Sequence, residues 1–216
     1  MKITNFRTHL MGIAHPGKIA PSRNWIFVEV ETDEGITGIG EATTEYHEQA
    51  VVTMINDHFS PLLIGQDPTR VNFAWQQMQR FFWWRGGIVA SSAASGIEQA
   101  LWDITGKAYG QPVYKLLGGA VRDQVRVYAR TDLGLDTHAE EAAAAVEEGF
   151  DGFKFGPGNY VQPYDDEKQV DAALCTAHEI RRAAGPDCHL MIDCGGIFSK
   201  QAAHRLIDGL REIRML

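Results

Sequence analysis

Apolar and polar positions alternate near the N-terminus and recur at helical spacing farther on. Residues 3–13 mix the two kinds and predict a first strand. Trp25-Ile-Phe-Val-Glu-Val30 is rich in branched and aromatic side chains and predicts a second. Thr32-Asp-Glu-Gly35 reads as a turn whose glycine can adopt positive φ. Residues 36–43 return as a third strand. Gly38 and Gly40 mark places where a side chain would not fit or where the strand bulges. The segment from His15 to Asn24 is too long for a tight hairpin. Segments of this length are either plain surface loops or functional ones.

Helical spacing follows. A first helix is expected over 45–58, ended by Ser60-Pro61. Asp67-Pro68 offers an N-cap with proline at the first helical position. The helix expected over 71–84 carries Phe73, Trp75, Phe81, Phe82, Trp83 and Trp84. Such aromatic density suits a core or a subunit interface better than a ligand cage. The clearest helix covers 90–109, where Ile97, Leu101, Ile104 and Ala108 recur and Gly110 and Pro112 stop the run. A short helix from Pro112 ends at Gly118-Gly119.

From Gln124 strands and helices alternate. Strands are expected over 125–129, 152–155 and 190–193, helices over 139–148, 165–184 and 200–211. This order predicts parallel β/α units after a boundary near Gly119 to Asp123, hence domains over 1–120 and 121–216. Three such units cannot close a (β/α)₈ barrel, which takes about 250 residues. The second domain is then a small open α/β layer or the first part of a barrel. Arg211 to Leu216 stop just where a fourth strand would begin. An open half-barrel would leave Val125, Val127, Phe153, Phe155 and Met191 or Ile192 uncovered, depending on register, so a homo-oligomer is expected.

Composition narrows the class. The 216 residues include 20 Lys+Arg against 28 Asp+Glu, a net charge of −8, with 44% hydrophobic and 22% charged residues. That balance excludes a disordered chain, a collagen and a disulfide-stapled miniprotein. With no basic run, a nucleic-acid partner is not expected. Neither is a membrane, since the balance is acidic and no apolar run approaches about 20 residues. Cys175, Cys188 and Cys194 form no CxxC and read as reduced thiols. No charged-then-apolar leader precedes the first strand. A cytoplasmic protein is expected.

The run from Ala94 through Ser-Gly-Ile-Glu-Gln-Ala-Leu-Trp-Asp-Ile-Thr-Gly-Lys-Ala-Tyr-Gly-Gln-Pro-Val-Tyr-Lys-Leu-Leu to Gly118-Gly119 resembles the helix-and-turn signature of the enolase superfamily, in its mandelate racemase and muconate-lactonizing branch. Gly35-Ile-Thr-Gly-Ile-Gly-Glu41 is similar to that branch's capping-domain hairpin. Gly149-Phe-Asp-Gly-Phe-Lys-Phe155 and Met191-Ile-Asp-Cys-Gly-Gly-Ile-Phe-Ser199 are similar to its second and third barrel strands. The resemblance implies an α+β capping domain followed by the first part of a TIM-like (β/α) barrel, incomplete after the third unit. It also implies a carbon–oxygen lyase of the acid-sugar dehydratase kind, galactonate- or gluconate-type. Such an enzyme removes a proton next to a carboxylate with help from Mg²⁺ and then expels water. The proton is far too weakly acidic for a side chain alone. A hard divalent ion on the carboxylate stabilises the enediolate, and a tuned Lys or His takes the proton.

By the same resemblance Asp193 is the first metal ligand and Lys154 the first lysine of a Lys-x-Lys motif, which supports the substrate carboxylate. The second lysine, the usual base, is replaced by Gly156. Some dehydratases of the branch carry a His or Asn two residues after the metal Asp, where this chain has Gly195. His15, Lys18 and Arg23 lie in the long loop that, by resemblance, covers the barrel mouth and selects a sugar-acid substrate. Arg130 shares a strand face with Tyr128 and either reaches the site or pairs with a neighbouring acid. His178, His189 and His204 read as surface residues. Two alternatives stand beside the dehydratase: a racemase or cycloisomerase of the same branch, and a non-catalytic fragment or pseudoenzyme acting by association.

Overall fold

The computed structural model describes residues 1–12, 24–80, 83–130, 137–157 and 166–216. Internal contacts divide the chain into Met1–Val121 and Arg122–Leu216.

In the first unit, β1 (Ile3–Gly12), β2 (Asn24–Thr32) and β3 (Thr37–Glu41) form an antiparallel meander in that order. Val28 pairs with Thr8 on one side and Gly40 on the other. Ile26, Val28 and Val30 are wholly buried against the helices.

The first expected helix proves to be three pieces. These are α1 (Glu48–Thr53), a π-helical turn (Met54–Phe59) and α2 (Ser60–Leu63). Pro61 does not end the run. It sits in the first turn of α2, where its missing N–H is an orphan anyway. Asp67 does not cap a helix directly: its Oδ1 accepts from the Thr69 N–H and hydroxyl at 2.9 and 2.8 Å, and α3 (Val71–Arg80) starts later. This helix stops short of residue 84. Trp83 and Trp84 lie outside it, 97% and 93% exposed, and the chain turns through Gly86 and Gly87 at positive φ.

Helix α4 (Ile88–Tyr109) ends on Gly110 in the left-handed region. It lies backbone to backbone on β3. A Cβ at Gly38 would stand 2.1 Å from the Ala100 carbonyl oxygen, and one at Gly40 2.0 Å from that of Gly96. The two strand glycines are therefore there because no side chain fits. The same helix closes the free edge of β3. Asp103 accepts from Ile39 N–H at 2.9 Å, and Gln99 exchanges bonds of 3.1 Å with the Glu41 backbone. Lys107 donates to Thr37 O at 2.6 Å. Gln99, Asp103 and Lys107 are four residues apart, one row of a helix laid along an otherwise unpaired strand. Helix α5 (Val113–Leu116) follows.

In the second unit β4 (Ala129–Arg130), β5 (Gly152–Phe155) and β6 (His189–Ile192) are parallel and adjacent in that order. The strand expected over 125–129 is shorter than its sequence suggests. Partner β5 begins only at Gly152, so earlier residues have nothing to pair with. Val125 and Val127 are exposed, and Arg126 instead bridges to Asp151 at 2.8 Å. Helices α6 (His138–Glu147), α7 (Asp166–Ala184) and α8 (Lys200–Leu210) accompany the strands. Thr137 and Glu140 form a capping box on α6, and Ser199 caps α8.

The expectation of an uncovered apolar face is corrected by the register for Phe153 and Phe155, while Val125 and Val127 are exposed. Phe153, Phe155 and Leu190 are buried in one core with Ile180, Leu206 and Leu210. The row on the opposite face is Arg130, Lys154 and Met191. Beyond α8, Met215 bridges Leu190 in parallel, and the Leu216 N–H donates to Leu190 O at 2.9 Å. Arg181 holds this end in place through the carbonyls of Gly185, Cys188, Ile213 and Arg214. Among the described residues no helix is long and apolar enough to cross a membrane.

Candidate active site

Side chains alternate across a strand, so Lys154 points away from the core that Phe153 and Phe155 fill. One residue past β6, the Asp193 N–H still donates to Phe155 O at 2.9 Å and continues the ladder. That bond sets the Asp193 carboxylate beside Lys154, with Nζ to Oδ2 at 3.1 Å. Its other oxygen accepts from the Gly195 N–H at 3.3 Å. Arg130, Lys154, Phe155, Gly156, Asp193 and Gly195 line a cavity of about 300 Å³. These positions are the C-terminal ends of three parallel strands, where β/α proteins assemble their chemistry.

The charges reinforce one another. The Lys154 ammonium, then the Gly195 N–H and the field of Arg130 among lesser causes, hold the Asp193 carboxyl below its ordinary range. Asp193 first and Tyr128 second raise Lys154 above its own. Lys154 is thus held as a cation and is no base in this arrangement. The Tyr128 ring lies under it, with its centroid 5.4 Å from Nζ.

Two positions are open. A Cβ at Gly156 or Gly195 would meet nothing within 4 Å. There is room for a larger residue at 156, while Gly195 sits at a positive φ that favours glycine, and glycine brings no group that can carry a proton. Among the described residues lining this cavity, a hard cation finds one exposed carboxylate, Asp193. Among the described residues no group of three or more His, Cys, Asp or Glu side chains is placed to hold a metal.

Three of the residues singled out from sequence, Arg130, Lys154 and Asp193, meet in this cavity. His15, Lys18 and Arg23 lie outside the described residues. His178, His189 and His204 are exposed. The sequence reading gave Tyr128 no task, although its place two residues before Arg130 already put both on the face that carries Lys154.

Comparison with known proteins agrees with the geometry. Residues 8–118 match the mandelate racemase / muconate lactonizing enzyme N-terminal domain, and residues 137–216 match the enolase C-terminal domain-like family. The D-galactonate dehydratase of Ralstonia pickettii is 42% identical over 219 aligned residues, which take in 100% of this chain and 54% of the relative. The mandelate racemase/muconate lactonizing enzyme structure from Jannaschia sp. CCS1 superposes with a TM-score of 0.87 at 30% identity, covering 100% of this chain and 60% of that one. An enolase from Agrobacterium radiobacter, bound to Na and L-malate, gives 0.82 at 31% identity over 99% of this chain and 53% of that one. The chain spans about half the length of the curated relatives it matches. Its capping sheet, its α4 signature and its parallel β/α units place it in the mandelate racemase / muconate lactonizing enzyme branch of the enolase superfamily, as a capping domain followed by part of an enolase-type barrel.

Proposed function

We propose that this chain carries the capping domain and the carboxylate-binding side of an acid-sugar dehydratase. The observation that carries the reading is the gathering of Arg130, Lys154 and Asp193 in one cavity at the strand ends. Lys154 and Arg130 are the cations that meet the substrate carboxylate, Arg130 with a planar fork suited to two oxygens. Asp193 is a ligand for Mg²⁺, which when bound stabilises the negative charge that develops as the proton leaves. Mg²⁺ wants about six oxygens, so Asp193 is assigned one place in its shell and no more. His15, Lys18 and Arg23 are assigned to substrate selection on the resemblance alone.

Gly156 favours dehydration over racemisation. A racemase needs a base on each face of the α-carbon, and position 156 offers none on this one. Dehydration needs a base on a single face. The D-galactonate dehydratase relatives support a polyhydroxy monoacid as substrate. A second reading rests on Gly156 and Gly195 together: a member of the family that holds the acid without transforming it. Oligomer formation belongs to the same proposal, supported by the exposure of Trp83 and Trp84. So does a cytoplasmic setting, in keeping with three free cysteines.

Calorimetric titration with D-galactonate, paired with an assay for the 2-keto acid product, tests the reading. Weak binding lost in Lys154→Ala and Arg130→Ala is expected, with no turnover by the 216-residue chain alone. Binding indifferent to both substitutions would sink the dehydratase proposal. Turnover abolished by Lys154→Ala would sink the non-catalytic one and show that two chains complete one site.

A further inference from the structure

We infer that Tyr128 is a positioning residue that keeps Lys154 aimed into the cavity when Asp193 is engaged by a cation. What Lys154 does there rests on the proposed function. What holds it there rests on geometry alone. Among the described residues Lys154 has two neighbours, the Asp193 carboxylate at 3.1 Å and the Tyr128 ring, its centroid 5.4 Å from Nζ. The first is the group a metal ion would take, and a cation on that carboxylate repels an ammonium bound to the same oxygen. A lysine released from that carboxylate and held by nothing else would sweep through solvent on a four-carbon stem.

The ring prevents this. Its negative face attracts an ammonium within about 6 Å without carrying a charge, so it competes neither for the metal nor with an incoming carboxylate. It can lie there because the strand beside it is bare. A Cβ at Gly152 would come within 3.2 Å of Tyr128 Cβ and 3.3 Å of Met191 Cε. Gly152 stands two residues before Lys154, as Tyr128 stands two before Arg130. One strand therefore supplies the ring with its cation, and the other supplies the ring together with the second cation.

The test incorporates lysine labelled with ¹³C at Cε into the full chain and assigns Lys154 by its absence in Lys154→Arg. Its Hε protons are expected upfield of the other lysines, shifted by the ring beneath them. In Asp193→Asn, which removes the ion pair, the shift persists. Adding Tyr128→Leu to that variant abolishes it, whereas adding Tyr128→Phe keeps it. Collapse of the shift in Asp193→Asn alone overturns the inference. Titration with L-malate in the Asp193→Asn background, where the ion pair is gone, gives the functional arm. Tyr128→Leu weakens binding about threefold, and Tyr128→Phe restores it. Equal loss in Tyr128→Phe and Tyr128→Leu overturns the ring's role. Malate binding indifferent to Lys154→Ala, with the ring shift intact, supports the contact and overturns instead the carboxylate reading of the proposed function.

Discussion

The two sheets meet their helices in opposite ways. In the first unit β3 has no side chain at Gly38 or Gly40, and α4 rests on bare backbone. In the second, β5 sends Phe153 and Phe155 into a core shared with α6, α7 and α8, and large side chains fill the gap. The first contact is set by absence of volume and the second by its presence. The consequence for chemistry differs too. Helix α4 spends Gln99, Asp103 and Lys107 on closing a strand edge. In the second unit Lys154 and Asp193 pair with each other instead, on the far face and at the strand ends.

The sharpest way to break this contrast is Gly40→Val. A Cβ 2.0 Å from a carbonyl oxygen cannot be relieved by a rotamer change, so α4 must lift off β3. A loss above about 3 kcal/mol, or failure to fold, is expected in urea melts. A near-neutral result would mean that the helix does not sit where it is drawn. Phe153→Ala comes next. It empties a wholly buried site and should cost about 3–5 kcal/mol.

Asp193→Asn should be milder and pH-dependent. The folded Asp193 carboxyl is held below the ordinary value of 3.8, chiefly by Lys154. Its stabilisation is therefore complete above that value and fades as pH falls through the lowered folded one. The gap in melting temperature between wild type and Asp193→Asn should be small at pH 7 and vanish in strong acid. A gap that widens as pH falls would contradict the ion pair. Smallest is Gly156→Ala. The added methyl meets nothing within 4 Å, and stability should stay within about 0.5 kcal/mol of wild type. One glycine substitution then ruins the fold while the other is invisible. Similar effects at 40 and 156 would erase the distinction between the two units.

Much of this was legible beforehand, for identifiable reasons. The α4 pattern repeats over about three turns and carries its own stop at Gly110, so the helix ends were found within two residues. Short apolar runs were harder. Val125 and Val127 have the composition of a strand, yet pairing depends on where β5 begins. The helix expected over 71–84 does not take in Trp83 and Trp84, because aromatic residues fit a helix or an exposed segment equally well by pattern. At the site, Asp193 and Lys154 were found through the family resemblance, which gave a meaning to their places at strand ends. Their 3.1 Å pairing was not, because 39 residues separate them.

The sequence by itself determined the order of elements, the two-unit organisation and the candidate residues, because these follow from local periodicity and from motifs read along the chain. Tertiary structure alone decided which face of each parallel strand is apolar. That choice turns on register, and a shift of one residue would exchange Phe153 for Lys154. It also decided that Tyr128 lies under Lys154, since a ring meets an ammonium across two strands only once Gly152 has left the space between them.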